Sequence, residues 1–174
     1  EARGDKATAI IAGDHTHIVY EARNGEVLAD HRQASGCADE GEEVELNMPT
    51  VWEFATTTPA DEIRFILKTR DYNLRAAQES KKGNYGHCLG KTMGRPLSAG
   101  IFGKSIFQSI ISETALACDA RMGGAMIPVM SNSGSGNQGI CATNPVAVYA
   151  KENENTEEEL IRALTLSHLT AIYI

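Results

Sequence analysis

The chain has 174 residues, 42% of them apolar, and 16 Lys and Arg stand against 23 Asp and Glu for a formal net charge of −7. That length and composition fit one domain, or a small domain attached to a larger one, and exclude disorder. The acidic balance argues against a nucleic-acid-binding face, which needs clustered Lys and Arg.

Lys81-Lys82 reads as a solvated helix end. No apolar stretch approaches the roughly 20 residues of a membrane-spanning helix, and the opening Glu-Ala-Arg-Gly-Asp lacks the charge order and apolar centre of a signal peptide. A cytoplasmic protein with neither membrane nor nucleic-acid partner is expected, compatible with a homo-oligomer. Cys37, Cys88, Cys118 and Cys141 are widely spaced with no C-x-x-C pair, so reduced thiols are expected rather than disulfides or a structural zinc site. Residue 1 is not Met and Ile174 interrupts a helical apolar pattern; a piece of a longer protein is the expectation.

In chain order, residues Ala7–Ala12, His15–Arg23 and Glu26–Gln33 read as strands, with Asn24-Gly25 as the two-residue turn between the last two. Such a loop pairs positions whose numbers sum to 49: Ile18 with His31, Tyr20 with Ala29, Ala22 with Val27. This set forms an apolar face, expected to be buried. His15, His17, Arg23, Glu26, Asp30 and Arg32 take the polar face. In that register His31 projects away from His15 and His17, so no three-histidine metal site is expected.

After the acidic stretch Ser35–Glu45 the pattern turns helical. Thr58-Pro-Ala-Asp-Glu62 supplies an N-cap, a proline at the first helical position and two carboxylates at the positive helix end, predicting a helix to about Gln78. Pro96 and Ser98 open another, with Phe102, Ile106 and Ile110 on one stripe and Phe107, Ile111 and Leu116 beside it, ending near Cys118. A further helix runs from Gln138 to about Lys151 with a kink at Pro145. Thr156-Glu-Glu-Glu159 is a capping box, starting a last helix that carries Leu160, Ile161, Leu164, His168 and Ile172 inward. The expected fold class is α+β, a small antiparallel sheet over residues 1–46 followed by a mainly helical bundle over 47–174.

The chemically distinctive segment is Ser131–Gly139, where Asn132, Ser133, Gly134, Ser135, Gly136, Asn137 and Gln138 stand at the entry to a helix. Small residues let a ligand approach the backbone, the first helical amides point at it, and Asn and Gln add uncharged donors and acceptors. A carboxylate or phosphate suits such a place. Tight helix packing is the plainer use of the same glycines and serines. No phosphate-loop pattern is present, and Gly134-Ser-Gly136 is a weak dinucleotide signal. Upstream, Asp119 and Arg121 are ionised residues ending a buried helix. Either they pair with each other, or Arg121 grips a substrate carboxylate and Asp119 orients it. His168, on an apolar helix face, is either a satisfied core histidine or an acid–base residue. His87 is similar, and no serine sits in a G-x-S-x-G elbow.

Cys118–Gly124, Pro128–Ile140 and Leu166–Ile174 together resemble the L-cysteine desulfidase branch of the iron–sulfur L-serine dehydratase α-chain family, with Cys118 where the family pattern has serine. Ile63–Leu67, Asn84–Gly90 and Ala12–Val19 are similar more weakly, the last with one inserted residue. The resemblance implies a cytoplasmic lyase that converts L-cysteine or L-serine to pyruvate and ammonia, with hydrogen sulfide from cysteine. It implies a 4Fe-4S cluster in the full-length protein whose cysteine ligands match none of Cys37, Cys88, Cys118 or Cys141. No cluster and no activity are then expected of these 174 residues alone. The resemblance also puts His15 and Thr16 near the active site. Catalytic candidates are thus His168, Asp119 and His15. The non-enzymatic alternative is a domain that senses a small molecule through the same anion-ready loop.

Overall fold

The computed structural model describes residues 4–12, 17–32, 46–95 and 105–174. Contacts divide the chain into two compact units, Glu1–Glu45 and Leu46–Ile174.

The first unit is a three-stranded antiparallel meander, β1 (Ala7–Ile11), β2 (Ile18–Arg23) and β3 (Glu26–Asp30) in that order. Asn24 and Gly25 both have positive φ, 52° and 89°, as a type I′ turn requires. The Asn24 side chain also accepts from the Lys6 amide at 2.7 Å and donates to Asp5 at 2.8 Å, tying the turn to the start of β1.

The predicted register holds only beside this turn, in the pairs Arg23–Glu26 and Ala22–Val27. A bulge then shifts it by one, so that Glu21 opposes Ala29 and Tyr20 opposes Asp30. The His31 amide accordingly donates to the Val19 carbonyl, not across from Ile18. That inserted residue corrects the placement of Tyr20 and of His31, and which face of β2 is buried is corrected independently of it. Tyr20 lies with the polar pair, under the Arg32 guanidinium at 4.3 Å. Val19, not Ile18 or Val27, is the buried side chain. The register argument separating His31 from His17 also lapses. His15 lies outside the described residues, and among the described residues no cluster of three or more His, Cys, Asp or Glu could hold a metal.

The second unit is helical: α1 (Met48–Thr57), α2 (Ala60–Ile63), a 3₁₀ turn (Arg64–Ile66), α3 (Leu67–Lys82), α4 (Leu89–Met93), α5 (Ile106–Met122), α6 (Gly136–Glu152) and α7 (Glu157–Tyr173). Helix α1 starts in a reciprocal cap between Asn47 and Thr50. Thr58 does not cap the next helix, contrary to the sequence reading. Its amide bonds the Phe54 carbonyl to finish α1, and Pro59 takes the N-cap position of α2 with no side-chain bond. Arg162 of α7 donates to the carbonyls of Ala55, Thr56 and Thr58 at 3.2, 2.8 and 3.2 Å, placing a cation at the negative end of α1. Thr156 and Glu159 form the expected capping box of α7.

Two apolar clusters make the core. Ile63, Leu67, Ala150, Leu160, Ile161 and Leu164 form one, and Ala76, Ala77, Leu116, Ala117 and Ile140 the other. Helices α3 and α6 run through both. Helix α5 extends to Met122, one turn past Cys118, and its Phe107 and Ile111 face outward, because its buried face is the Leu116, Ala117 and Ala120 side. Ile172 is likewise exposed rather than inward. Pro96, Ser98 and Phe102 lie outside the described residues. No described helix is long and apolar enough to cross a membrane.

Two glycines of the amide-rich segment carry different constraints. A Cβ at Gly139 would sit 2.1 Å from the Met130 carbonyl oxygen, whereas Gly134 has φ +77° but open space around it. Gly139→Ala should therefore cost about 1–3 kcal/mol by backbone displacement and Gly134→Ala about 1 kcal/mol by conformational strain alone. Denaturant unfolding of the two variants checks that order; equal midpoints would show that α6 does not pack on residues 130–131 as described.

Candidate functional site

The segment before α6 turns back on itself. Asn132 and Ser135 exchange backbone hydrogen bonds of 3.0 and 2.9 Å, and Ser133 and Gly134 between them both have positive φ, 47° and 77°. This is again a type I′ turn, closed by small polar residues. Ser135 then caps α6: its Oγ accepts from the Gln138 amide at 3.3 Å and its carbonyl from the Gly139 amide at 3.0 Å. The amides of Gly136 and Asn137, the first of the helix, have no intrahelical acceptor.

The Asn132 side chain, expected to face a ligand, is instead buried and saturated. Its Nδ2 donates to the His168 carbonyl at 3.0 Å and to His168 Nδ1 at 3.1 Å. Its Oδ1 accepts from Ser133 Oγ at 3.0 Å and Gln138 Nε2 at 3.3 Å. Gln138 Nε2 also donates to the Ala171 carbonyl at 3.0 Å. Asn132 and Gln138 thus fasten the turn to the end of α7, leaving Ser133 and Gly134 at the exposed tip.

The same contacts decide the state of His168. An amide nitrogen only donates, so Nδ1 accepts and carries no proton; Nε2–H donates to Thr143 Oγ1 at 2.9 Å. Thr143 in turn donates to the Gly139 carbonyl at 2.7 Å. Burial lowers the proton affinity of His168 below the ordinary 6.5. It is a neutral, fully partnered histidine between α6, α7 and the turn.

Sequence reading missed Asn73 entirely. Fully buried on α3, it accepts from the Met130 amide at 2.8 Å through Oδ1, and its Nδ2 reaches the Met130 carbonyl at 3.2 Å, the Gly139 carbonyl at 3.1 Å and Thr143 Oγ1 at 3.2 Å. A polar residue on the inner face of a helix predicted from its neighbours was the available signal.

Asp119 and Arg121 leave α5 on opposite sides, so the structure shows neither mutual pairing nor an orienting role of one for the other. The buried Asp119 carboxylate accepts from the His87 and Gly90 amides at 3.2 and 3.1 Å, ordering the connection into α4. Arg121 crosses to the start of α6. Its Nη1 donates to Asn137 Oδ1 at 3.1 Å, and its guanidinium lies so close over Gly136 that a Cβ there would meet Nε at 2.3 Å. Gly136 lets the arginine lie there and does not have positive φ, so a larger residue would displace the Arg121 side chain. His15 and Thr16 lie outside the described residues.

Beside the turn opens a cleft of about 510 Å³ whose apolar lining includes Phe54, Phe65, Met130, Leu169 and Ile172, with Asn132, Ser133 and His168 among its polar lining. A second cleft of about 520 Å³, among Lys81, Glu113, Lys151 and Glu152, includes none of the selected residues.

Residues 16–174 match the family described as serine dehydratase alpha chain. The chain belongs to that family. It is 61% identical over 175 residues to a UPF0597 protein of Phocaeicola vulgatus, and 58% identical over 174 residues to UPF0597 protein BF3560 of Bacteroides fragilis, covering 100% of this chain and 41% of each relative. A UPF0597 protein of Shewanella woodyi is 44% identical over 173 residues. The chain thus spans about two-fifths of the length of the curated relatives it matches. No solved structure matches it.

The described thiols do not form the ligand set of an iron–sulfur cluster. Cys118 and Cys141 are neighbours on α5 and α6, and Cys88 stands apart at the start of α4, with its Sγ 3.6 Å from the Tyr85 carbonyl. Burial, reinforced by Cys141, pushes the Cys118 thiol up to about 11, opposite to what a thiolate ligand needs.

The lowered proton affinity of His168 has a testable sign. Below pH 6.5 the unfolded chain takes up a proton that folded His168 refuses, so its contribution to stability is full above that value and declines as pH falls beneath it. Denaturant midpoints should therefore fall below pH 6.5 more steeply for the wild type than for His168→Gln; parallel profiles would show that the ring titrates freely.

Proposed function

We propose that this chain is the substrate-holding part of an iron–sulfur-dependent lyase that removes the β-substituent of L-cysteine or L-serine, giving pyruvate and ammonia, with hydrogen sulfide from cysteine. One observation carries the reading: the Arg121 guanidinium is laid over Gly136 at the start of α6. A cation at the positive end of a helix is repelled by the aligned peptide dipoles. A carboxylate at the helix start, met by the exposed Arg121 side chain once it swings off Gly136, reverses the sign of that interaction, taking hydrogen bonds from the first amides of α6 and from guanidinium N–H groups.

Elimination needs the amino acid held still while its α-proton and β-group depart. The arrangement serves that need. Arg121 and the amides of Gly136 and Asn137 grip the carboxylate, Ser133 and Gly134 border the bound molecule, and the saturated contacts of Asn132 and Gln138 stop the turn from yielding. His168 enters as a residue that positions the turn, because both of its ring nitrogens are engaged. The 4Fe-4S cluster that the resemblance implies would contribute Lewis acidity in the full-length protein. The described thiols do not fit it, so its ligands belong to parts of the full-length protein outside those described.

In the full-length protein, Arg121→Gln should raise KM for L-cysteine and L-serine at least about tenfold, with kcat changed less, as expected for loss of a charge-assisted hydrogen bond. Asn137→Ala should act in the same direction, and Gly136→Val should abolish turnover by displacing Arg121. Steady-state kinetics at saturating and limiting amino acid check this. Unchanged KM in both Arg121→Gln and Asn137→Ala would end the carboxylate assignment; amino-acid binding without any turnover in the intact protein would favour a sensory domain.

A further inference from the structure

Between the two apolar clusters of the helical unit lies a layer of four buried polar side chains, Asn73, Thr143, His168 and Asn132. Apolar residues of similar size in such a layer give comparable stability, since paired buried polar groups add little net free energy. What they add is direction, and their contacts run one way through the molecule. Asn73 bonds both the N–H and the C=O of Met130 and reaches the carbonyl of Gly139, so one side chain on α3 clamps the entry and the exit of the segment containing the turn. Thr143 receives Asn73 and the His168 ring on one oxygen and donates to Gly139. His168 passes the constraint to Asn132, whose backbone closes the turn.

We propose that Asn73 and Thr143 are positioning residues of the amino-acid site, setting through His168 and Asn132 the place of the turn and of the α6 start against Arg121. The inference rests on the reading of that site as the carboxylate holder. Asn73 and Thr143 bond Met130, Gly139, His168 and each other rather than Ser133, Gly134 or Arg121, so their effect passes through the hydrogen-bond chain.

The test uses the full-length protein with Thr143→Val, which keeps the shape and removes the hydroxyl, and Thr143→Ser, which restores it. Nitrogen NMR of the His168 ring reports the tautomer, hydrogen exchange reports the amides of Asn132 and Ser135, and calorimetry reports L-serine affinity. Thr143→Val should lose the Nε2–H signal position, speed exchange at both amides at least about tenfold and weaken L-serine by a similar factor, with Thr143→Ser close to wild type in all three. A merely space-filling threonine would leave the ring signal and the exchange unchanged, which overturns the proposal. If ring and exchange both shift while L-serine affinity holds, the turn is positioned as described but does not hold the amino acid, and the functional reading fails with the inference. Should Thr143→Val not fold, the wild type still decides: the Met130 amide must exchange as slowly as the buried amides of α3, and rapid exchange there overturns the clamp.

Discussion

A buried amide or imidazole costs free energy for each polar atom left without a partner, and although Asn144 Oδ1 is left so, that cost sets the geometry around the turn before α6. The layer of Asn73, Thr143, His168 and Asn132 avoids it with contacts that leave one arrangement of the segment between α5 and α6. Leaving any of these groups unpaired costs about 1–3 kcal/mol, while pairing them adds little. The penalty for misplacement is therefore larger than the reward for placement, and the layer acts as a specification of geometry between two ordinary apolar clusters.

The site's electrostatics follow from that geometry. Because the turn and the Ser135 cap are fixed, α6 begins at Gly136, and only a glycine there lets Arg121 lie against the helix. Positive helix end and guanidinium then share one small volume in a chain of net charge −7. Local charge opposes global charge, which is how a protein concentrates an anion at one place without attracting polyanions generally. The amino-acid carboxylate proposed above is a group that matches this local charge.

Local chemistry was legible in the sequence where it is decided by adjacent residues. Asn24-Gly25 set a type I′ turn, Thr156 and Glu159 closed a capping box, and the amide-rich run before α6 marked the start of a helix. Contacts between distant residues were not legible. The bulge in β3 moves Tyr20 and His31 without any local signature, since one extra residue changes register while leaving composition intact. Asn73 lies 57 residues from Met130 in sequence, so nothing near it announces its partner. Asp119 and Arg121 are two positions apart, and the 100° turn per residue of a helix, not their charges, sends one to the His87–Gly90 amides and the other to Gly136. Asn132 was read correctly as part of the loop and wrongly as facing outward, because a buried partner such as His168 is invisible until α7 is in place.

The proposed function requires a carboxylate bridging Arg121 and the start of α6. A crystal structure of the full-length protein with an unreactive L-serine analogue tests it most directly. The prediction is carboxylate oxygens within about 3.2 Å of the Gly136 or Asn137 amide and of the Arg121 guanidinium. An analogue bound elsewhere, with Arg121 still on Asn137 and no anion at the helix start, would contradict it.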